Sequence, residues 1–144
     1  MKVLFDTDVI LDFLLDREPF STQMAYLLSK VERSEIIGLI CASSVTTLYY
    51  LAAKAHDRKR ASSYVKALLS LFEVAPVNRP VLESALSARF KDFEDAVVYE
   101  SARHSNADFL VTRNVKDYRR TQIPVCTPAE FIATLRTIDK GGRE

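Results

Sequence analysis

The chain has 144 residues, 48% hydrophobic and 27% charged, the size and balance of a single globular domain with a sizeable core. Its 20 basic and 19 acidic residues leave a formal net charge of +1, which excludes nucleic-acid binding through overall charge and confines any such role to local clusters. Cys41 and Cys126 lie far apart with no Cys/His ligand spacing, which excludes a disulfide scaffold or a zinc knuckle and fits buried thiols in a reducing cytoplasm.

Along the chain, residues 3–5 read as a short apolar strand, and a helix is expected over about 9–16. Asp6 and Asp8 interrupt the apolar start, so no secretory leader is expected and the cytoplasm is the expected compartment. Asp12 and Asp16 break the longest apolar run, so no membrane association is expected. Residues 21–33 carry Met24, Ala25, Leu27, Leu28 and Val31 at helical spacing, with Ser21 as the expected N-cap. A buried strand at 36–41 is followed by a helix over 44–55. "HDRKR" at 56–60 reads as an interhelical loop before a helix over 61–72. A strand at 72–77 ends near Pro76 and Pro80, and a helix is expected over about 81–88. A helix over 94–105 precedes a strand at 109–112, and a last strand lies at 124–126. Pro128 opens a final helix over 129–137, leaving a polar tail at 139–144. Strands alternating with helices predict a largely parallel sheet covered on both faces, with ligands beyond the carboxyl ends of its strands.

Acidic residues collect at that edge. Asp6 directly follows the first strand, and Thr112, Arg113 and Asn114 follow the strand at 109–111. A helix running back from that strand brings its N-terminus, with Asp92, Glu94 and Asp95, to the same edge. Each acid also has a purely structural reading. Asp8 suits the N-cap of the first helix, Asp92 with Asp95 resembles a capping box, and Asn114 with Asp117 suits a short helix. Asp12 and Asp16, four residues apart, have a spacing common on a solvated helix face, which is the preferred reading for Asp16. Capping and dipole gains of about 0.3–1 kcal/mol each do not offset carboxylates packed together. Two of them about 4 Å apart repel by about 4 kcal/mol at an effective dielectric near 20. A hard divalent cation such as Mg²⁺ or Mn²⁺ does offset that repulsion, and it would activate water against a phosphodiester.

"FDTD" also invites a second chemistry, that of a haloacid-dehalogenase-like phosphatase with Asp6 as nucleophile and Asp8 as acid/base. That mechanism needs a small or hydroxyl residue soon after the second Asp, where this chain has Val9, Ile10 and Leu11. It also needs a suitably placed Lys and a late acidic pair closing a strand. Here "KDFEDA" opens a helix, so the phosphatase is a minor alternative.

"VLFDTDVILDFLL", "DFEDAVVYESA" at 92–102 and "LVTRNVKDY" at 110–118 resemble, in order, the motifs of the PIN domain family, the nuclease fold of VapC-type toxins. The match is nearest the subgroup with a DFEDA motif and runs from Val3 to 128–131. The resemblance implies a three-layer α/β/α sandwich with a central, mostly parallel sheet of four to five strands, one domain over 1–138. It also implies Mg²⁺- or Mn²⁺-dependent cleavage of single-stranded RNA, a homodimer, and a small antitoxin partner in a type II toxin–antitoxin pair. By position, Asp6 matches the first acidic ligand and Asp95 the third, with Asp92 as its companion. Asn114 falls on the fourth position with Asp117 three residues on, and Thr112 matches the hydroxyl bordering the site. The family's second acid, a Glu after the second strand, is missing from "SSVTTLYY", where Tyr49 is nearest the expected place.

On this reading Asp6, Asp95 and Asp117 are catalytic and hold the metal together with Asp92. Asp8, Glu94, Thr112 and Asn114 support them, and Asp92 or Glu94 orients the water. Two basic clusters stand out. Residues 54–66 sum to +4 and read as a solvated turn, whereas Arg113, Lys116, Arg119 and Arg120 against Asp117 sum to +3 and are the expected RNA contacts. The missing Glu keeps a rival open, a catalytically weak or inactive PIN module that binds RNA or a protein partner.

Overall fold

A computed structural model describes residues 1–119 and 121–141. Five strands, β1 (Lys2–Phe5), β2 (Ile37–Cys41), β3 (Glu73–Ala75), β4 (Phe109–Val111) and β5 (Val125–Cys126), form one sheet in the order β3-β2-β1-β4-β5. Every pairing is parallel, with β1 central between β2 and β4. Parallel pairing needs crossovers, and these are the helices: α1 (Thr7–Leu14), α2 (Phe20–Glu32), α3 (Ala42–Ala55), α4 (Arg58–Leu71), α5 (Arg79–Ser87), α6 (Phe93–His104) and α7 (Pro128–Gly141). A 3₁₀ turn at Val115–Asp117 follows β4.

Strand alternation sets the two faces. Val3 and Phe5 of β1 pack with α1, α2, α3, α4 and α7 through Ile10, Met24, Leu48, Leu68 and Phe131. Leu4, between them, points the other way and packs with Val98, Tyr99 and Ala102 of α6. Helix α5 then covers α6 through Val81 and Ala85 against Ala96 and Val97. The result is the expected α/β/α sandwich around a parallel sheet. Among the described residues no helix is long and apolar enough to cross a membrane. Cys41 is buried, Cys126 is half-buried, and both are free.

Several local expectations change. Helix α1 begins at Thr7, and its N-cap is Asp6, whose side chain accepts from the Thr7 amide at 2.7 Å. Asp8 therefore lies inside the first turn and does not cap the helix. Ser21 is not an N-cap either: it is buried in α2, and its hydroxyl donates to Asp16. The basic run after His56 is not a loop, because Asp57 accepts from the Arg60 amide and starts α4 at Arg58. Helix α7 continues through Gly141, so the tail expected from 139 is helical as far as it is described, and 142–144 lie outside the described residues.

Gly38 has a packing reason. A Cβ there would lie 2.7 Å from two carbons of the Phe72 ring and 3.0 Å from Val31 Cγ1. Phe72 is itself held edge-on against Phe5. Gly38→Ala is expected to destabilise by about 1–3 kcal/mol through overpacking, read by chemical denaturation. An unchanged midpoint would mean that the ring relaxes freely.

Candidate active site

The carboxyl ends of β1 and β4 lie side by side, and the Asp6 amide donates to the Val111 carbonyl at 2.9 Å. Asp6 leaves β1 with its side chain almost buried. Its Oδ1 accepts from the Thr7 amide, and its Oδ2 accepts from Thr112 Oγ1 and from the Tyr118 hydroxyl, both at 2.9 Å. Tyr118 is buried just beyond the 3₁₀ turn, and its hydroxyl also lies 3.5 Å from Asp95 Oδ1 in the first turn of α6. One phenol thus stands between two carboxylates far apart in the sequence. It has a single proton, and the shorter contact gives that proton to Asp6.

Asp8 is held from the loop after β4. Its Oδ2 accepts from the Arg113 amide at 3.1 Å and from Asn114 Nδ2 at 3.2 Å, while Thr112 Oγ1, whose one proton goes to the nearer Asp6, lies 3.2 Å away. Asn114 flanks the 3₁₀ turn but does not cap it with its side chain, which turns to Asp8 instead. Asp92 does cap α6, accepting from the Asp95 amide at 3.1 Å.

These acids occupy two adjoining clefts. The first, of about 270 Å³, is walled by Asp6, Asp8, Glu94 and Asp95 and, from α3, by the hydroxyls of Ser43, Ser44 and Thr47. The second contains Asp92 and Asp117, and Asp95 lines both. The expected four-carboxylate cluster is therefore not gathered at one point. Among the described residues no three His, Cys, Asp or Glu side chains converge as a metal cage would require. Tyr49 does not reach the first cleft; Thr47 and Leu51 of α3 line it instead.

The electrostatics follow from crowding in a half-dry edge. Burial pushes the Asp6 carboxyl up, against the hydrogen bonds from Tyr118, Thr7 and Thr112 that favour its charged form. Burial and then the Asp6 charge push Asp8 up to about 6. Asp95 reaches about 6 through burial and the charges of Asp6, Asp92 and Asp117. Burial and the charges of Asp6, Asp95 and Asp8 drive the Tyr118 phenol strongly upward, so it stays a donor. For Asp8 and Asp95 the folded values lie above the unfolded carboxylate value near 3.9. Folding thus favours their protonated forms, a contribution fully present below about pH 4 and lost as pH rises through 6. In EDTA the thermal midpoint is expected to fall by several degrees between pH 5 and pH 7.5. A midpoint that rises over that interval would contradict this electrostatic assignment.

One expected role is relocated. The Arg113 guanidinium, anticipated as an RNA contact, is turned inward: its Nε lies 2.7 Å from Asp12 Oδ2 and the group stacks 4.6 Å over the Phe20 ring. Asp12, whose place the i,i+4 spacing left open, is wholly buried, with Arg17 as a second, looser partner at 3.6 Å. Lys116 and Arg119 line the second cleft, and Arg120 lies outside the described residues. Sequence reasoning missed Tyr118 altogether. The signal was an aromatic with a polar tip directly after "NVKD", which buries its ring only if the tip finds partners.

Comparison with known proteins identifies the family and the fold. The PIN domain family model matches residues 2–116. Ribonuclease VapC1 of Aquifex aeolicus (strain VF5) is 27% identical over 142 residues, covering 95% of this chain and 97% of the relative. Among solved structures, FitAcB from Neisseria gonorrhoeae superposes with a TM-score of 0.68 at 19% identity, covering 88% of this chain and 98% of its own. A toxin–antitoxin complex from Klebsiella pneumoniae gives 0.67 at 23% identity, covering 88% and 97%. With its family motifs on the edge of a fully parallel five-stranded sheet, the chain belongs to the PIN domain family.

Proposed function

We propose that this chain is an endoribonuclease cleaving single-stranded RNA at the Asp6–Asp95 centre with Mg²⁺ or Mn²⁺, and that it pairs as a toxin with a small antitoxin. The observation that carries the reading is the meeting of Asp6 and Asp95 across the Tyr118 hydroxyl, two desolvated carboxylates held at a ligand-binding edge. The donor set fits such an ion. Mg²⁺ keeps most of its waters and is commonly held by one or two carboxylates plus substrate phosphate. Asp6 and Asp95 would hold it, and Asp92 and Asp117 would act from the neighbouring cleft by charge. Bound there, the ion would lower the pKa of a water and offset charge building at phosphorus. The chain's own groups do the rest. Thr112 and Tyr118 fix Asp6, Asp8 locks the loop after β4 to α1, and Glu94, which has no side-chain partner among the described residues, lines the cleft as a carboxylate able to orient the attacking water.

Ribonuclease VapC1 is named for RNA cleavage, and one solved neighbour is described as a toxin–antitoxin complex, which supports both halves of the proposal. A second reading, a weakly catalytic or inactive RNA-binding module, is favoured by α3, which offers Ser43, Ser44 and Thr47 to the cleft and no acid. The phosphatase reading falls with membership of the PIN domain family and with Asp8 bound by two donors of one loop. Incubation of 5′-labelled single-stranded RNA with Mn²⁺, beside the Asp6→Asn variant, separates the two remaining readings. Cleavage by the unaltered chain alone is expected, and equal cleavage by both proteins would remove Asp6 from the chemistry.

A further inference from the structure

The cleft beside the acidic centre combines residues that are far apart in sequence. Arg89 and Lys91 come from the loop between α5 and α6, and Lys116 and Arg119 come from the segment after β4. Together they wall a cleft of about 500 Å³ that also contains Asp92, Asp95 and Asp117, and its Phe90 is anchored edge-on against Tyr118. All four cations are exposed, and among the described residues none is ion-paired with a carboxylate. Arg119 Nε donates to the Lys116 carbonyl, which ties the two cations on that wall into one unit. The groove continues past Arg89 and Arg119 into a further cleft of about 320 Å³ toward Gln122. On the other side of Asp95 the first cleft has hydroxyls and apolar walls but no cation at all. Among the described residues that line the two clefts, positive charge therefore lies on one side of the two central carboxylates.

We propose that the groove between the 88–92 loop and the 115–119 segment is the phosphate-binding track for one flank of a single-stranded RNA, with Arg89 and Lys91 as contacts equal in weight to Lys116 and Arg119. Other nucleotides of the strand would enter the first cleft, where carboxylates and hydroxyls but no cations line the wall. The inference rests on the nuclease reading for its substrate class but not for its test. Four cations facing three carboxylates give the groove little net charge, so its affinity comes from direct contacts with phosphate and not from a diffuse field. Those contacts are counted by salt dependence, since each one to a single strand contributes about −0.7 to the slope of log affinity against log salt.

The test is equilibrium binding of a fluorescein-labelled 12-nucleotide single-stranded RNA in EDTA, titrated across salt. Arg89→Gln/Lys91→Gln is expected to flatten the slope by about 1.4 and to weaken binding roughly tenfold at low salt. Arg58→Gln/Lys59→Gln removes the same charge from the start of α4, away from the groove, and is expected to leave the slope unchanged. An unchanged slope in the first variant, an equal loss in the second, or no measurable binding by the unaltered chain overturns the track. If the slopes behave as expected but Mn²⁺ brings no cleavage, the nuclease reading fails and the track stands. If RNA is cleaved but the slopes do not move, only the track fails. All four side chains are exposed, so an unchanged circular dichroism spectrum accompanies either result.

Discussion

Asp6→Asn is expected to abolish Mn²⁺-dependent RNA cleavage, a loss of at least about 10³-fold, while raising the thermal midpoint. Both effects have one cause. Burial and the charge of Asp117 already work against the ionised Asp6 carboxyl, and Asp6 in turn pushes Asp8 and Asp95 up. Replacing the carboxylate with an amide removes that repulsion at neutral pH and removes the main anionic oxygen from the proposed ion site. The amide also fits locally. Its oxygen can accept from the Thr7 amide as Oδ1 does now, and its NH₂ can donate to Thr112 and Tyr118. Those two hydroxyls then turn their protons to Asp8 and Asp95, at 3.2 and 3.5 Å. No buried donor or acceptor is orphaned, so the fold should gain stability while activity is lost. Differential scanning calorimetry at pH 7.5 with a parallel cleavage assay reads both. A variant that loses activity and also melts earlier would mean that Asp6 is chiefly a helix cap.

How far the sequence discloses this site depends on the range of the interaction. The alternation of Val3, Leu4 and Phe5 discloses which residues face which helical layer, because strand geometry leaves only two choices. Asp6 at the end of β1 and Asp95 at the start of α6 follow from strand–helix order alone, because crossover helices return to the same edge. Cap identity was less legible. Asp6 and Asp8 are both acceptable N-caps, and the choice falls to Asp6 because β1 stops at Phe5 and leaves Thr7 as the first helical residue. The same two-residue shift moves Asp8 from a cap into contact with the loop at 112–114, which no local pattern predicts.

Side-chain partners across long loops were not legible at all. Arg113 belongs to a basic cluster, and clusters suggest phosphate; its actual partner is Asp12, 101 positions earlier in the chain. The four-cation groove is the converse case. Arg89 and Lys91 are unremarkable in sequence and acquire a role only when the fold sets them opposite Lys116 and Arg119.

Arg113→Ala is accordingly expected to be a stability variant more than an RNA-binding variant. It leaves Asp12 wholly buried, with only Arg17 at 3.6 Å to balance its charge, and it strips the cation from the Phe20 face. Breaking a buried pair by removing one partner costs about 3–5 kcal/mol. Arg113 is about one-third exposed and Arg17 offers partial compensation, so the low end applies: about 3 kcal/mol, or roughly 6–12 °C in the midpoint. Lysine does not rescue fully, since a compact ammonium cannot both cover the Phe20 ring as a planar guanidinium does and stay beside Asp12. The second substitution Asp12→Asn in the Arg113→Ala background removes the unbalanced anion and should recover most of the loss, giving a coupling of about 2 kcal/mol in a double-mutant cycle. Additive single and double variants would show that the pair contributes nothing as a pair. Salt-titrated RNA binding on the same proteins separates the alternatives. A slope unchanged by Arg113→Ala assigns this arginine to the fold, where it joins α1, the start of α2 and the loop that carries Thr112 into the site. A slope flattened by about 0.7 returns it to the RNA.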